Sequence, residues 1–297
     1  MSNYVLYTDA AADIPAHYYD EYEIRTIPMD YLLNGKSITF YTESKERNRL
    51  CEELYKAQKE DADVHTSQIT IYHYTEAWEK ELEEGRDILY ICFSSGLSST
   101  YNNALVAASQ LEEKYPERKI VVVDSLAGTT GQGIIVVLAA KDMAAGASIE
   151  ETKAHMEEII PYMCHRFMVG DLGYLRKGGR VSAAAAAVGT LLSIKPLLII
   201  DDAGKLEVVA KVRGEKAALR SIVRSCKAQL GAPGTPKMFF ISHSCHYEEA
   251  EELKKQILEE CGEDTIVECV PQSPVIGVHT GPRFFAVCGF GLHRKEN

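Results

Sequence analysis

The chain has 297 residues, 46% hydrophobic and 25% charged, which is the composition of an ordinary globular protein and a length suited to two medium domains. A formal charge of −11 repels phosphate backbones and argues against nucleic acid as a partner. The eight cysteines include no Cys-x-x-Cys pair, which argues against a zinc ribbon or a thioredoxin-like redox site and fits a reducing cytoplasm.

The opening Met1-Ser2-Asn3-Tyr4-Val5-Leu6 has no basic segment followed by an apolar run, so no secretory leader is expected. The first buried-strand pattern lies at 5–7. Asn34-Gly35 between the apolar segments of 27–40 predicts a hairpin, because both residues tolerate the positive φ of a tight turn. Amphipathic helices are expected at 47–60 and 75–84, a strand at 88–93, a helix at 100–114, a strand at 120–123 and a helix at 129–145. Gly146-Ala147-Ser148 introduces a helix at 149–163. Strands at 167–169, 197–200, 238–241 and 266–270 then alternate less regularly with helices at 215–230 and 247–261. This order implies an α/β protein: an N-terminal Rossmann-like parallel-sheet domain, 1–155, and a C-terminal α/β domain, 156–297. The longest apolar stretches, 134–140 and 191–200, fall short of the roughly 20 residues a spanning helix needs. A soluble cytoplasmic protein is therefore expected, with no more than transient membrane contact.

Phe93-Ser94-Ser95-Gly96-Leu97-Ser98-Ser99-Thr100 lies between a strand and a helix. At the carboxyl end of a sheet strand such a loop faces the binding crevice, and the amides of the following helix favour an anion. Helix capping explains some of these hydroxyls, but the loop holds more than one cap requires. Thr66-Ser67-Gln68 is a second polar cluster, which also reads as a turn or cap. His279-Thr280-Gly281-Pro282 places an imidazole beside a Gly-Pro turn, where it either reaches a ligand or serves the fold. Leu175-Arg176-Lys177-Gly178-Gly179-Arg180-Val181-Ser182 holds the densest positive charge, with paired glycines that permit a close backbone approach. Asp9 and Asp13 follow the first strand, where they either bind a cation or cap the next helix, and capping is the better reading. His243-Ser244-Cys245-His246 lacks a second ligand pair, so no metal is expected.

Taken in order, Thr8-Asp9-Ala10-Ala11-Ala12-Asp13-Ile14-Pro15, Thr66-Ser67-Gln68, Ser94-Ser95-Gly96-Leu97-Ser98-Ser99-Thr100-Tyr101, Val123-Asp124-Ser125, the Lys-Gly-Gly-Arg of 175–182, Ile194-Lys195-Pro196, Lys211-Val212-Arg213-Gly214 and Gly277-Val278-His279-Thr280-Gly281-Pro282 resemble the DegV family of bacterial proteins. The resemblance spans nearly the whole chain. It implies a buried long-chain fatty acid as ligand, no other cofactor, and service as the acyl-binding subunit of a fatty acid kinase. Thr66, Ser95 and His279 would then meet the carboxylate with Ser67 and Ser94 close by, while Arg180 and Arg213 would face the partner or its phosphate. Ala10, Ile69 and Arg283 stand where the family usually has serine, proline and glycine. Small residues at 183–187 and Val188-Gly189 are suited to lining a tunnel for a straight alkyl chain, or to tight helix packing.

Two other functions compete. A serine-dependent acyl hydrolase would use Ser94 or Ser95 with His279 as base, but the Gly-x-Ser-x-Gly elbow is absent and no acid is identified to orient the histidine. A nucleotide-binding or phosphotransfer protein would need a phosphate loop, and the Gly-x-x-x-x-Gly-Lys-Ser/Thr order is missing.

Overall fold

The computed structural model describes residues 4–42, 46–183, 193–230, 232, 234–292 and 294. β1 (Tyr4–Asp9) leads through α1 (Ala16–Tyr22) into β2 (Arg25–Ile27). A three-stranded antiparallel sheet follows, with β3 (Met29–Leu33) between β4 (Lys36–Phe40) and β5 (Val64–Thr66). Its hairpin turns at Asn34 and Gly35, with φ of 51° and 78°, the positive values that a two-residue turn of this hand requires. α2 (Arg47–Lys59) precedes β5, and α3 (Ile71–Glu83) follows it. α3 begins four residues before the expected start because the Thr70 side chain caps it by accepting from His73 N–H.

β6 (Asp87–Cys92), α4 (Thr100–Lys114) and β7 (Ile120–Asp124) complete a four-stranded sheet of order β2-β1-β6-β7, parallel throughout as expected. α5 (Thr129–Ala144) then runs between this sheet and the next. It is buried continuously from Thr129 to Ala140, packing on β1 and β6 and also on the six-stranded sheet described below. A helix apolar on every side needs cover on every side, which accounts for the run at 134–140. α6 (Ile149–Ile159) packs on α5 and contains residue 155. It ends before the expected residue 163, because Pro161 introduces a short 3-10 turn at Ile160–Tyr162 and a strand follows directly.

That strand is β8 (Met163–Val169), followed by α7 (Leu172–Lys177), β9 (Ile194–Ile200), β10 (Leu206–Arg213) and α8 (Glu215–Gln229). β11 (Met238–His243), α9 (Tyr247–Cys261), β12 (Ile266–Pro271), α10 (Pro274–Thr280) and β13 (Phe284–Phe290) complete the chain. The six strands order as β10-β9-β8-β13-β11-β12, antiparallel except for the β11–β12 pair. One hydrophobic cluster draws on both large sheets, from Leu6 and Leu89 to Phe167 and Phe284. Among the described residues, no helix is long and apolar enough to cross a membrane.

Candidate functional site

The site is assembled from loops held by two buried aspartates. Asp9, at the end of β1, accepts from Phe93 N–H at 2.8 Å, Tyr90 O–H at 2.8 Å, Ala11 N–H at 3.1 Å and Gln132 Nε2 at 3.2 Å. These bonds fix the start of the loop that follows β6. Burial pushes its carboxyl pKa up, while the four donors oppose that shift. Asp13 accepts from Ser273 N–H at 2.8 Å and Ser242 O–H at 3.1 Å, and lies 3.5 Å from Arg47. Burial is the dominant cause that raises its pKa to about 7, against the pull of Arg47. Neither aspartate caps α1, whose N-cap is Pro15 without a side-chain bond, so the capping expectation is corrected. Asp13 instead anchors Ser273, the N-cap of α10, and α10 carries His279 in its last turn.

Between these loops lies a cavity of about 630 Å³, within the usual range for a small-molecule site. Thr66, Ser67, Ser95, Arg180 and His279 are among its polar lining, with Gln68, Ser98, Ser99 and Thr280. Phe93, Leu97, Phe167, Leu175, Ile200 and Phe284 supply much of its apolar wall. Motif residues from 66 to 279 are thus brought together by topology: Thr66 ends β5, Ser95 follows β6, and His279 lies in the last turn of α10. The link between them is a 2.8 Å hydrogen bond between Thr66 Oγ1 and His279 Nε2.

Burial, reinforced by the charge of Arg180, holds the His279 imidazole down to about 3, so the ring is neutral at pH 7. Its Nδ1 is buried and has no hydrogen-bond partner among the described residues. A Cβ on Gly178 would stand 2.2 Å from that nitrogen, so the first glycine of the Lys-Gly-Gly-Arg motif is needed for its close approach to the ring. Gly179 serves the turn itself, with φ of 75°. Arg180 donates through Nη1 to the Gly178 carbonyl and borders two grooves that adjoin the cavity. Burial lowers its pKa from the usual guanidinium range.

Other expected site residues lie elsewhere. Ser94 is buried outside the cavity lining, donating to the Gly204 carbonyl at 2.8 Å and accepting from Gly96 N–H at 3.2 Å. Arg213 ends β10, exposed and opposite Ile194, and does not line the cavity. The alanine-rich stretch at 184–189 falls outside the described residues. The hydrolase arrangement is not assembled at Ser94: the His279 Nε2 pairs with Thr66, its Nδ1 has no orienting acid among the described residues, and the Ser94 hydroxyl is committed to Gly204.

Sequence reasoning missed two parts of the wall. Gly128 and Thr129 line the cavity where α5 begins, and Thr129 adopts φ of 49°. His165 lines it from β8, with Nε2 3.4 Å from Gly128 N and 3.3 Å from Gly128 O. Burial first, and the charge of Arg294 second, hold the His165 pKa down to about 3. Neither part carries a local signal, since a lone histidine inside an apolar strand has no spacing to read.

The family model described as "Uncharacterised protein, DegV family" matches residues 4–291. A DegV domain-containing protein of Clostridium perfringens is 36% identical over 292 residues, covering 98% of each chain. One from Lactococcus lactis is 37% identical over 289 residues, covering 97% of each. The solved fatty-acid-binding DegV family protein of Thermus thermophilus superposes with a TM-score of 0.84 at 27% identity, covering 98% of this chain and all 100% of the other. DegV of Bacillus subtilis, solved as a fatty acid binding protein, gives a TM-score of 0.81 at 25% identity, covering 98% and 100%. Matched from residue 4 to residue 291 and alike over nearly its whole length to such relatives, this chain belongs to the DegV family.

Proposed function

We propose that this protein is a carrier without catalytic activity of its own, binding one long-chain fatty acid in the cavity and presenting its carboxylate to a fatty acid kinase. The observation that carries the reading is that one cavity of about 630 Å³ is lined both by hydroxyl and imidazole side chains and by aliphatic and aromatic ones. Each buried methylene contributes about 0.8 kcal/mol on the apolar side. A buried carboxylate costs several kcal/mol unless it is hydrogen-bonded, and Thr66, Ser67 and Ser95 are the donors for it.

His279 works through Thr66. With the proton on Nε2, the imidazole donates to Thr66 Oγ1 and leaves the threonine hydrogen directed to the carboxylate. Arg180 supplies the positive charge that a neutral imidazole lacks. Ser94 shapes the loop through Gly204 rather than meeting the ligand. Presentation to a kinase is supported by the family resemblance and by Arg180, which borders both the cavity and its outer grooves. Arg213, exposed at the end of β10, belongs to the same proposal as a partner contact.

Calorimetric titration of delipidated protein with palmitate or oleate tests the binding step, and saturation at one ligand per chain is expected. Absence of uptake would refute it. ATP-dependent acyl phosphate formation by the loaded protein with its cognate kinase tests presentation. Arg213→Ala should keep its lipid and lose turnover, whereas Arg180→Ala should weaken both.

A further inference from the structure

Two cysteines far apart in the chain meet where α2 packs against the loop between β11 and α9. Cys51, buried on α2, donates through Sγ to the Gln272 carbonyl at 3.3 Å. The backbone N–H groups of Gln272 and Cys245 converge on one acceptor, the His243 carbonyl, at 3.0 and 3.1 Å, which draws Cys245 to the same point. Cys51 and Cys245 accordingly share one packed cluster, and their thiols are hydrogen-bonded to each other. Arg47, one turn earlier on α2, donates to the Pro271 carbonyl at 2.9 Å and fixes the helix side of this contact.

The two thiols are not equivalent. Cys51 is buried, whereas Cys245 is partly exposed on a loop. Cys245 also has a φ of 59°, in the left-handed region that a residue with a side chain seldom adopts. Such a conformation persists only where the surroundings impose it, and positions of this kind concentrate at functional sites. The hydrogen bond from Cys51 pulls the Cys245 thiol below its usual range, while the same bond, together with burial, pushes Cys51 up. Since the thiolate is the nucleophile, Cys245 is the attacking sulfur and Cys51 the resolving one.

We propose that Cys245 and Cys51 are a peroxide-reactive dithiol that closes to a disulfide between α2 and the β11–α9 loop. The Cys245 thiolate attacks the O–O bond of a hydroperoxide. One oxygen stays on sulfur as the sulfenic acid, and the other leaves and takes up a proton, as an alcohol or, from hydrogen peroxide, as water. Cys51 sulfur then attacks the sulfenic sulfur, and its proton departs with the hydroxyl as a second water. The thiols lose two electrons and the peroxide gains them.

The consequence reaches the cavity through Gln272. Closing the disulfide removes the Cys51 hydrogen, so the Gln272 carbonyl loses that donor. Gln272 also accepts from Thr280 Oγ1 at 3.2 Å and directly precedes Ser273, the N-cap of α10. α10 carries His279, the partner of Thr66. Oxidation should therefore loosen the end of the cavity that holds the carboxylate. That coupling rests on the fatty-acid reading; the disulfide itself does not.

The test treats the full-length protein with hydrogen peroxide, alkylates it under denaturing conditions and maps its peptides by mass spectrometry. A linked pair containing Cys51 and Cys245, reversed by dithiothreitol, is expected. Cys51→Ser should stop at a sulfenic acid on Cys245, trapped by dimedone, and Cys245→Ser should leave Cys51 reduced. Cys226→Ser, which alters a buried thiol of another cluster, should form the same link as the wild-type protein. Recovery of Cys51 and Cys245 as free thiols, or oxidation spread equally over other cysteines, overturns the proposal. Palmitate affinity of the oxidised protein should fall about 10-fold, the effect of one buried carbonyl left without its donor, and return on reduction. Peroxide-treated Cys245→Ser should keep its affinity, with melting temperatures identifying any variant that has lost its fold. A disulfide that forms without changing affinity overturns the coupling to the cavity. Uptake of no fatty acid in either redox state overturns the fatty-acid reading, while the linked peptides still decide the disulfide.

Discussion

The rim of the cavity and the aspartate network beneath it use the same kinds of side chain to opposite ends. Asp9 and Asp13 are buried, and each is surrounded by donors that bind two or more segments of the chain together. At the rim, Thr66 and His279 bond to each other and still line the cavity beside Ser67 and Ser95. Polar groups whose bonds are satisfied within the protein hold its shape. Those with bonding capacity left over beside a cavity are the ones available to a ligand.

Substitutions should therefore separate stability from binding. The largest effect is expected for Arg47→Ala, which strands Asp13 and removes donors to the carbonyls of Pro271 and Thr42. Breaking a buried ion pair in this way costs about 3–5 kcal/mol, measurable by urea denaturation. Lipid content should fall with the fold. A variant of unchanged stability would show that the network is not what positions the site.

Thr66→Ala should act mainly on binding, costing about 1 kcal/mol of stability as the His279 Nε2 loses its partner while weakening fatty-acid affinity by about 1.5–3 kcal/mol, the loss of a hydrogen bond to a charged group. Ser94 and Ser95 sharpen the contrast within one loop. Ser94→Ala removes the donor to Gly204 and should cost about 1 kcal/mol of stability. Ser95→Ala should spare stability and reduce binding, because its side chain belongs to the cavity lining. Equal binding losses from both serines would erase the distinction between support and rim.

The smallest effect concerns the pH dependence of stability. His279 is held down to about 3 from an ordinary 6.5, so its contribution is full above 6.5 and lost as pH falls toward 3. Asp13 is raised to about 7 from 3.8, so its contribution is full below 3.8 and lost as pH rises through 7. His279→Gln should consequently flatten the loss of stability on acidification, and Asp13→Asn should steepen it. Urea midpoints measured across pH 4 to 7 check both signs.

The sequence made the scaffold more legible than the site. Asn34-Gly35 marked its hairpin because the turn demands positive φ there, and the loop after β6 stood out because hydroxyls followed an apolar run. β10 escaped because Leu206–Arg213 is a largely exposed edge strand without a continuous apolar run. α10 was announced by Ser273-Pro274, a cap followed by proline in the first turn, but so short an apolar stretch reads equally as strand or loop. Asp9 and Asp13 were legible as polar residues after a strand, yet their true partners, Tyr90, Gln132, Ser242 and Ser273, lie too far along the chain for local pattern to reveal. The same distance hides the Thr66–His279 bond, which joins residues 213 positions apart.

The most direct test is mass spectrometry of the freshly purified chain under native and denaturing conditions. A carrier should show, in its native spectrum, one added mass per chain that is released on denaturation as a long-chain fatty acid. A chain that carries no such mass, takes none up from a fatty-acid mixture, and instead hydrolyses acyl esters would contradict the proposal.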